Sequence, residues 1–268
     1  MGNMLSIKPD VDDHIRLMDD KPRILLEIYQ SDRNKLSTVA KREGHASGVC
    51  EGLCCVWAKY NCSAGQDYFI AHFDPEIIGE TVEAHSILKK LKEQARGRLK
   101  ECESIVVALS TELNPLLSQP ASIQRDERIK EIDIEARVNG RDIDIINESC
   151  DDLHNVIHGL RRYQRRSDLD CAMLVAGLNA ILDYCVRTNN VCLILLHKPG
   201  ADRTQAGHCI GFAAEGKRKI HFIDPNSCLY EFESADSCIA YFTWYWKEYY
   251  QGTYSHYTRL LSGLAMFS

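Results

Sequence analysis

A cysteine, a histidine and an aspartate in this sequence have the settings that thiol chemistry needs. Cys50 stands in Gly48-Val49-Cys50-Glu51-Gly52-Leu53, where a small-residue loop gives way to an apolar run. Val49, Leu53, Val56, Trp57 and Tyr60 follow helical spacing, which puts Cys50 at or beside a first turn. Helix N-termini carry unpaired N–H groups and positive potential, and both favour thiolate over thiol. A thiolate with an imidazole in reach is a nucleophile. The chain has 12 cysteines, however, and most free cysteines are small core residues. Cys54 and Cys55, deeper in the helix, read as such. A zinc site from Cys50, Cys54, Cys55 and Cys62 lacks the Cys-x-x-Cys spacing and is rejected.

The histidine and the aspartate belong to one expected hairpin. Apolar runs at Cys209–Ala213 and Ile220–Ile223 flank the turn Glu215-Gly216-Lys217. With those three residues as the loop, His208 lies directly opposite Asp224. Opposed residues share a face with Cβ atoms roughly 5 Å apart, close enough for a carboxylate to hold an imidazole. Pro225 cannot donate to a ladder, so the second strand ends at the aspartate.

Together these blocks resemble the YopT-type cysteine proteases, bacterial type III effectors with a papain-like fold. The resemblance lies in Gly48–Leu53 with Trp57, then Gly207-His208, then Phe222-Ile223-Asp224-Pro225-Asn226-Ser227, in that order and with 16 residues from His208 to Asp224. It implies a papain-like α+β fold with a Cys50–His208–Asp224 triad. The oxyanion hole would then use the Cys50 backbone N–H and a side-chain donor upstream, by position His45. It further implies secretion into a host cell and a host protein as substrate, in some relatives a prenylated Rho-family small GTPase cut just before its lipidated cysteine. No cofactor and no metal is implied. Cys228 stands where the family often has glycine, and the stretch between Cys50 and His208 is long for the family, which points to an insertion. The same triad also suits an acyltransferase, transglutaminase or deamidase. A third reading is a non-catalytic, membrane-anchored binding protein.

The remaining elements must carry these residues. At 268 residues the chain can bury a sizeable core, and the net charge of -6 argues against a general nucleic-acid partner. No apolar run approaches a membrane span, and scattered cysteines without small-scaffold spacing read as reduced. Residues 1–45 read as an N-terminal arm and 46–268 as the catalytic domain, with an insertion around 120–165. Met1-Gly2-Asn3-Met4-Leu5-Ser6 fits N-myristoylation at Gly2, which would give peripheral membrane association, marginal with one chain. Asp12–Tyr29 is spaced for an amphipathic helix interrupted near Pro22, and Ser31–Gly44 reads as a loop. Helices are expected over Ile77–Leu99, Cys102–Leu117, Asp168–Cys185 and Ser234–Tyr250. Alternation across Asn139-Gly140 predicts a hairpin, Ile129–Ile146, within the insertion. Val191–His197 reads as a buried strand, and Tyr254–Phe267 as an edge strand and tail. His154 and His158 share a helix face but lack a ligand set. Arg161–Arg166 reads as a solvated basic helix end, and surplus aromatics after Ser234 could line an acyl or peptide groove.

Overall fold

The structure is a computed structural model that describes residues 15, 18, 21–28, 35–44, 49–151, 169–196, 208–216, 218–248, 259–260 and 265–267. Two compact units partition the chain: Met1–Leu88 with His154–Ser268, and Lys89–Leu153.

The first unit is built on a six-stranded antiparallel sheet. Its strands are β1 (Arg23–Glu27), β3 (Val191–Leu196), β4 (His208–Glu215), β5 (Lys219–Ile223), β6 (Cys228–Phe232) and β8 (Ala265–Phe267), in the order β1-β6-β5-β4-β3-β8. Strands β3 to β6 form a meander whose residues are almost all buried, as the continuous apolar runs require. A short pair, β2 (Leu169–Asp170) with β7 (Arg259–Leu260), stands apart from the sheet.

Alternation along each strand sends side chains to two helical layers. Ile210, Phe212, Ile220, Phe222, Tyr230 and Phe232 join one core with α6 (Cys171–Thr188) and α7 (Ala235–Tyr245). The opposite face receives α2 (Cys50–Ser63) through Cys54, whose Sγ donates to the carbonyl of Cys209 at 3.3 Å. Gly211 makes that approach close, since a Cβ there would lie 2.5 Å from the Trp57 ring. A helix carrying Cys50 thus packs on an antiparallel sheet carrying His208 and Asp224, the α+β arrangement expected of a papain-like domain.

Several local expectations are corrected. Asp12–Tyr29, read as an amphipathic helix interrupted near Pro22, contributes β1: Ile24, Leu25 and Leu26 are consecutive apolar residues, and Ile24 and Leu26 pair against β6 with a register shift between them. Ser31–Gly44, read as a loop, holds α1 (Lys35–Arg42), with Leu36 and Ala40 buried four residues apart. The short α3 (Gln66–Ala71) and a π-helical turn over Phe73–Ile77 lead into α4 (Ile78–Leu117). That helix is one 40-residue element where two were expected. No glycine or proline falls between Leu99 and Cys102 to part them.

The Ile129–Ile146 hairpin is also overturned: those residues lie inside α5 (Ile123–Asp151). Ile132, Ile143 and Ile146 lie at helical spacing, with Ile132 and Ile146 buried, whereas Ile134, Val138 and Ile145 of the alternating set are exposed. Leu99 and Ile146 share a small cluster, and Arg128 grips both Glu112 oxygens at 2.6 and 2.9 Å, so the two helices run antiparallel. Asn139 donates to the Glu135 carbonyl at 2.9 Å, satisfying its side chain within the helix. Gly140 has open space around its missing Cβ. Gly140→Ala is therefore expected to stabilise α5 by about 1 kcal/mol, seen as a higher midpoint in thermal unfolding. A type I′ turn at Asn139-Gly140 would give the opposite sign.

Candidate active site

Cys50 is the first residue of α2, so its thiol sits among the unpaired N–H groups of a 14-residue helix. The position is fixed by packing behind it. Leu53, Cys54, Cys55, Val56 and Trp57 are fully buried, and Gly52 lets α2 lie against the start of α4, where a Cβ would meet the Thr81 carbonyl at 2.6 Å.

His208 opens β4, opposite Leu196 of β3. The β4–β5 hairpin forms, but its turn lies one residue later than expected: Glu215 pairs with Lys219 and Gly211 with Ile223. Every partner therefore moves by two residues. An even shift preserves the face, whereas a shift by one would have separated the pair. His208 and Asp224 become diagonal neighbours on one face, and His208 Nε2 stands 2.8 Å from Asp224 Oδ1. β5 stops at Ile223, before Pro225.

The Asp224 carboxylate is 1% exposed and collects donors on both oxygens. Oδ1 accepts from His208 and from the Asn226 backbone N–H at 2.8 Å, and Oδ2 accepts from the Tyr245 hydroxyl at 2.8 Å. The turn beneath is closed by Asp224 N–H to the Cys228 carbonyl and Ser227 N–H to the Asp224 carbonyl. Cys228, at the position where glycine was expected from the resemblance, is thus accommodated as the first residue of β6.

Nε2 is taken by Asp224, which leaves Nδ1 for the thiol, and the His208 ring is hydrogen-bonded to Cys50 as well. Burial alone would lower the His208 pKa. The Asp224 carboxylate and then the Cys50 thiolate outweigh it, and His208 is held at about 10. The core thiols behave differently: burial pushes Cys54 up to about 11 and Cys185 up to about 12, and raises Cys192, Cys209 and Cys238. The fold therefore gathers a thiol at a helix N-terminus, an imidazole that stays charged at neutral pH, and a buried carboxylate.

Two solved structures resemble the chain loosely. One is the Pseudomonas avirulence protein AvrPphB, at 13% identity over 83% of this chain and 92% of that one, with a TM-score of 0.46. The other is PatoxP, a cysteine protease-like domain of the Photorhabdus asymbiotica toxin PaTox, at 16% identity over 81% and 77%, with a TM-score of 0.23. No protein-family model matches the chain, and no curated protein matches it.

Gly2, His45, His154, His158 and the basic run 161–166 lie outside the described residues. Among the described residues, Glu215, His221 and Glu231 come close enough together to share a metal ion. The buried Glu231 is already met by Arg23 at 2.7 Å, Lys219 at 3.4 Å and His221 at 3.3 Å, so the group reads as an ion network at the edge of the sheet face. No described helix is long and apolar enough to cross a membrane. Phe242, Tyr245 and Trp246 are core residues of α7 and its end, so they do not line a groove. Tyr245 and the Asn226 N–H are the parts of the site that residue spacing did not single out. The Asp-Pro-Asn sequence was the available signal for the second, because an aspartate often accepts from the N–H two residues on.

Proposed function

We propose that the protein is a cysteine protease in which Cys50 is the nucleophile, His208 its acid–base partner and Asp224 the group that holds the imidazole. The observation that carries this reading is the buried Cys50–His208–Asp224 relay at the N-terminus of α2. The Cys50 thiolate attacks a peptide carbonyl carbon, and the C=O electron pair moves to oxygen. Collapse of that oxyanion breaks the C–N bond, and His208 gives its Nδ1 proton to the departing amine. Water then attacks the thioester, with neutral His208 taking a proton, and the carboxylic acid leaves as Cys50 is restored. The Cys50 backbone N–H is one oxyanion donor and His45 is the proposed second.

In this reading the enzyme is a secreted bacterial effector of the YopT type, acting in the host cytosol on a host protein. A prenylated Rho-family GTPase cut near its C-terminus is the proposed substrate, and myristoylation at Gly2 would place the enzyme at the same membrane. The test uses vesicles carrying a prenylated Rho-family GTPase. Wild-type protein is expected to release a soluble GTPase lacking its lipidated end, while Cys50→Ala releases none. A GTPase that gains mass or loses ammonia without chain cleavage would instead establish acyl transfer or deamidation.

A further inference from the structure

We propose that Tyr245 is the positioning residue of this site: from α7, its hydroxyl donates to Asp224 Oδ2 and keeps the carboxylate turned so that Oδ1 serves His208. The inference rests on the triad reading. Asp224 lies past the end of β5, and its backbone is fixed by the turn hydrogen bonds to Cys228 and Ser227. Its side chain still has torsional freedom, and what faces each oxygen sets the carboxylate plane. The Asn226 N–H belongs to the same turn, and His208 is the group to be oriented. Tyr245 brings a donor from a separate element.

That element is well anchored. Ser234 caps α7, its Oγ accepting from the Ser237 N–H at 3.1 Å. Tyr245 is 1% exposed, stacks on Tyr241 with centroids 5.6 Å apart, and meets Phe222 edge-on at 5.7 Å. Phe222 lies on β5, two residues before Asp224, so the tyrosine ring packs on the strand that delivers the carboxylate. A phenylalanine would fill the same space. The hydroxyl adds the hold on Oδ2, a charge-assisted hydrogen bond to a carboxylate that is 1% exposed.

Tyr245→Phe keeps the ring and deletes the donor. Without it, Oδ2 turns toward another partner or takes a proton, and either change moves negative charge away from His208 Nε2. The experiment is an NMR titration of carbon-13 histidine in wild type and Tyr245→Phe, with His208 assigned by its loss in His208→Ala and folding checked by thermal unfolding. The His208 midpoint is expected to fall by about one pH unit, a tenfold change in proton affinity. A folded variant whose midpoint stays in place or rises would overturn the proposal. The triad reading fails separately: in that case His208→Ala would leave the alkylation rate of Cys50 unchanged.

Discussion

Asp224→Ala is expected to remove the activity and much of the stability together, whereas Asp224→Asn should leave a folded, partly active protein. The alanine variant takes the carboxylate away from three groups that donate to it: His208 Nε2, the Asn226 N–H and the Tyr245 hydroxyl. Taking away one member of a buried charged pair costs about 3–5 kcal/mol, because the partner keeps its desolvation penalty. For a domain of ordinary stability that is a large fraction of the whole. The asparagine variant keeps an acceptor for the imidazole and a group for the tyrosine hydroxyl, which can accept as well as donate. It loses the negative charge, so the imidazolium is less well supported. The penalty is smaller than in a serine-type triad, where a neutral histidine must be held in one tautomer. Here His208 begins with both ring nitrogens protonated. Chemical denaturation and hydrolysis assays on both variants check this; an alanine variant as stable and active as the asparagine one would contradict it.

The second large effect is on pH dependence. His208 titrates at about 10 in the folded protein, against ~6.5 for an unperturbed histidine. Its folded value lies above its unfolded value, so its protonation stabilises the fold fully below about 6.5 and is lost as pH rises through about 10. Activity should follow at the alkaline end. Above about pH 10 the imidazolium that protonates the leaving amine is gone, and hydrolysis falls. Alkylation of Cys50 needs no general acid, so it persists there. His208→Ala alters the other end: it removes the imidazolium beside Cys50, and the rate of Cys50 alkylation at pH 6 is expected to drop about a hundredfold.

The site was more legible in the sequence than the elements around it. Cys50 at a helix start and His208 with Asp224 on one hairpin face follow from local signals: helical spacing after Val49, a glycine turn and a proline stop. The turn came one residue late, yet parity kept the pair on one face. The insertion misled for the same kind of reason. Ile132 and Ile143 satisfy two periodicities over a short window, and Asn139-Gly140 is a turn signal only where no helix overrides it. Intrahelical support from Arg128 with Glu131, and from Arg137 with Asp133, was present in the sequence and weighed the other way. β1 was lost because three consecutive apolar residues fit helix and strand alike. Tyr245 has no local signal, since its role depends on where α7 docks on the sheet, a tertiary fact.

The central claim is a preformed thiolate–imidazolium pair, and its most direct test is the rate of Cys50 alkylation against pH, read by mass spectrometry after brief iodoacetamide treatment. The comparison thiol is Cys62, which is exposed but raised above its ordinary value by partial burial. Cys50 is only 7% exposed, so accessibility alone would make it the slower of the two. The pair predicts the reverse: at pH 6 Cys50 labels first, and in His208→Ala that lead disappears. If Cys62 labels ahead of Cys50 at pH 6 and His208→Ala changes nothing, the thiol is not activated and the proposed chemistry is wrong.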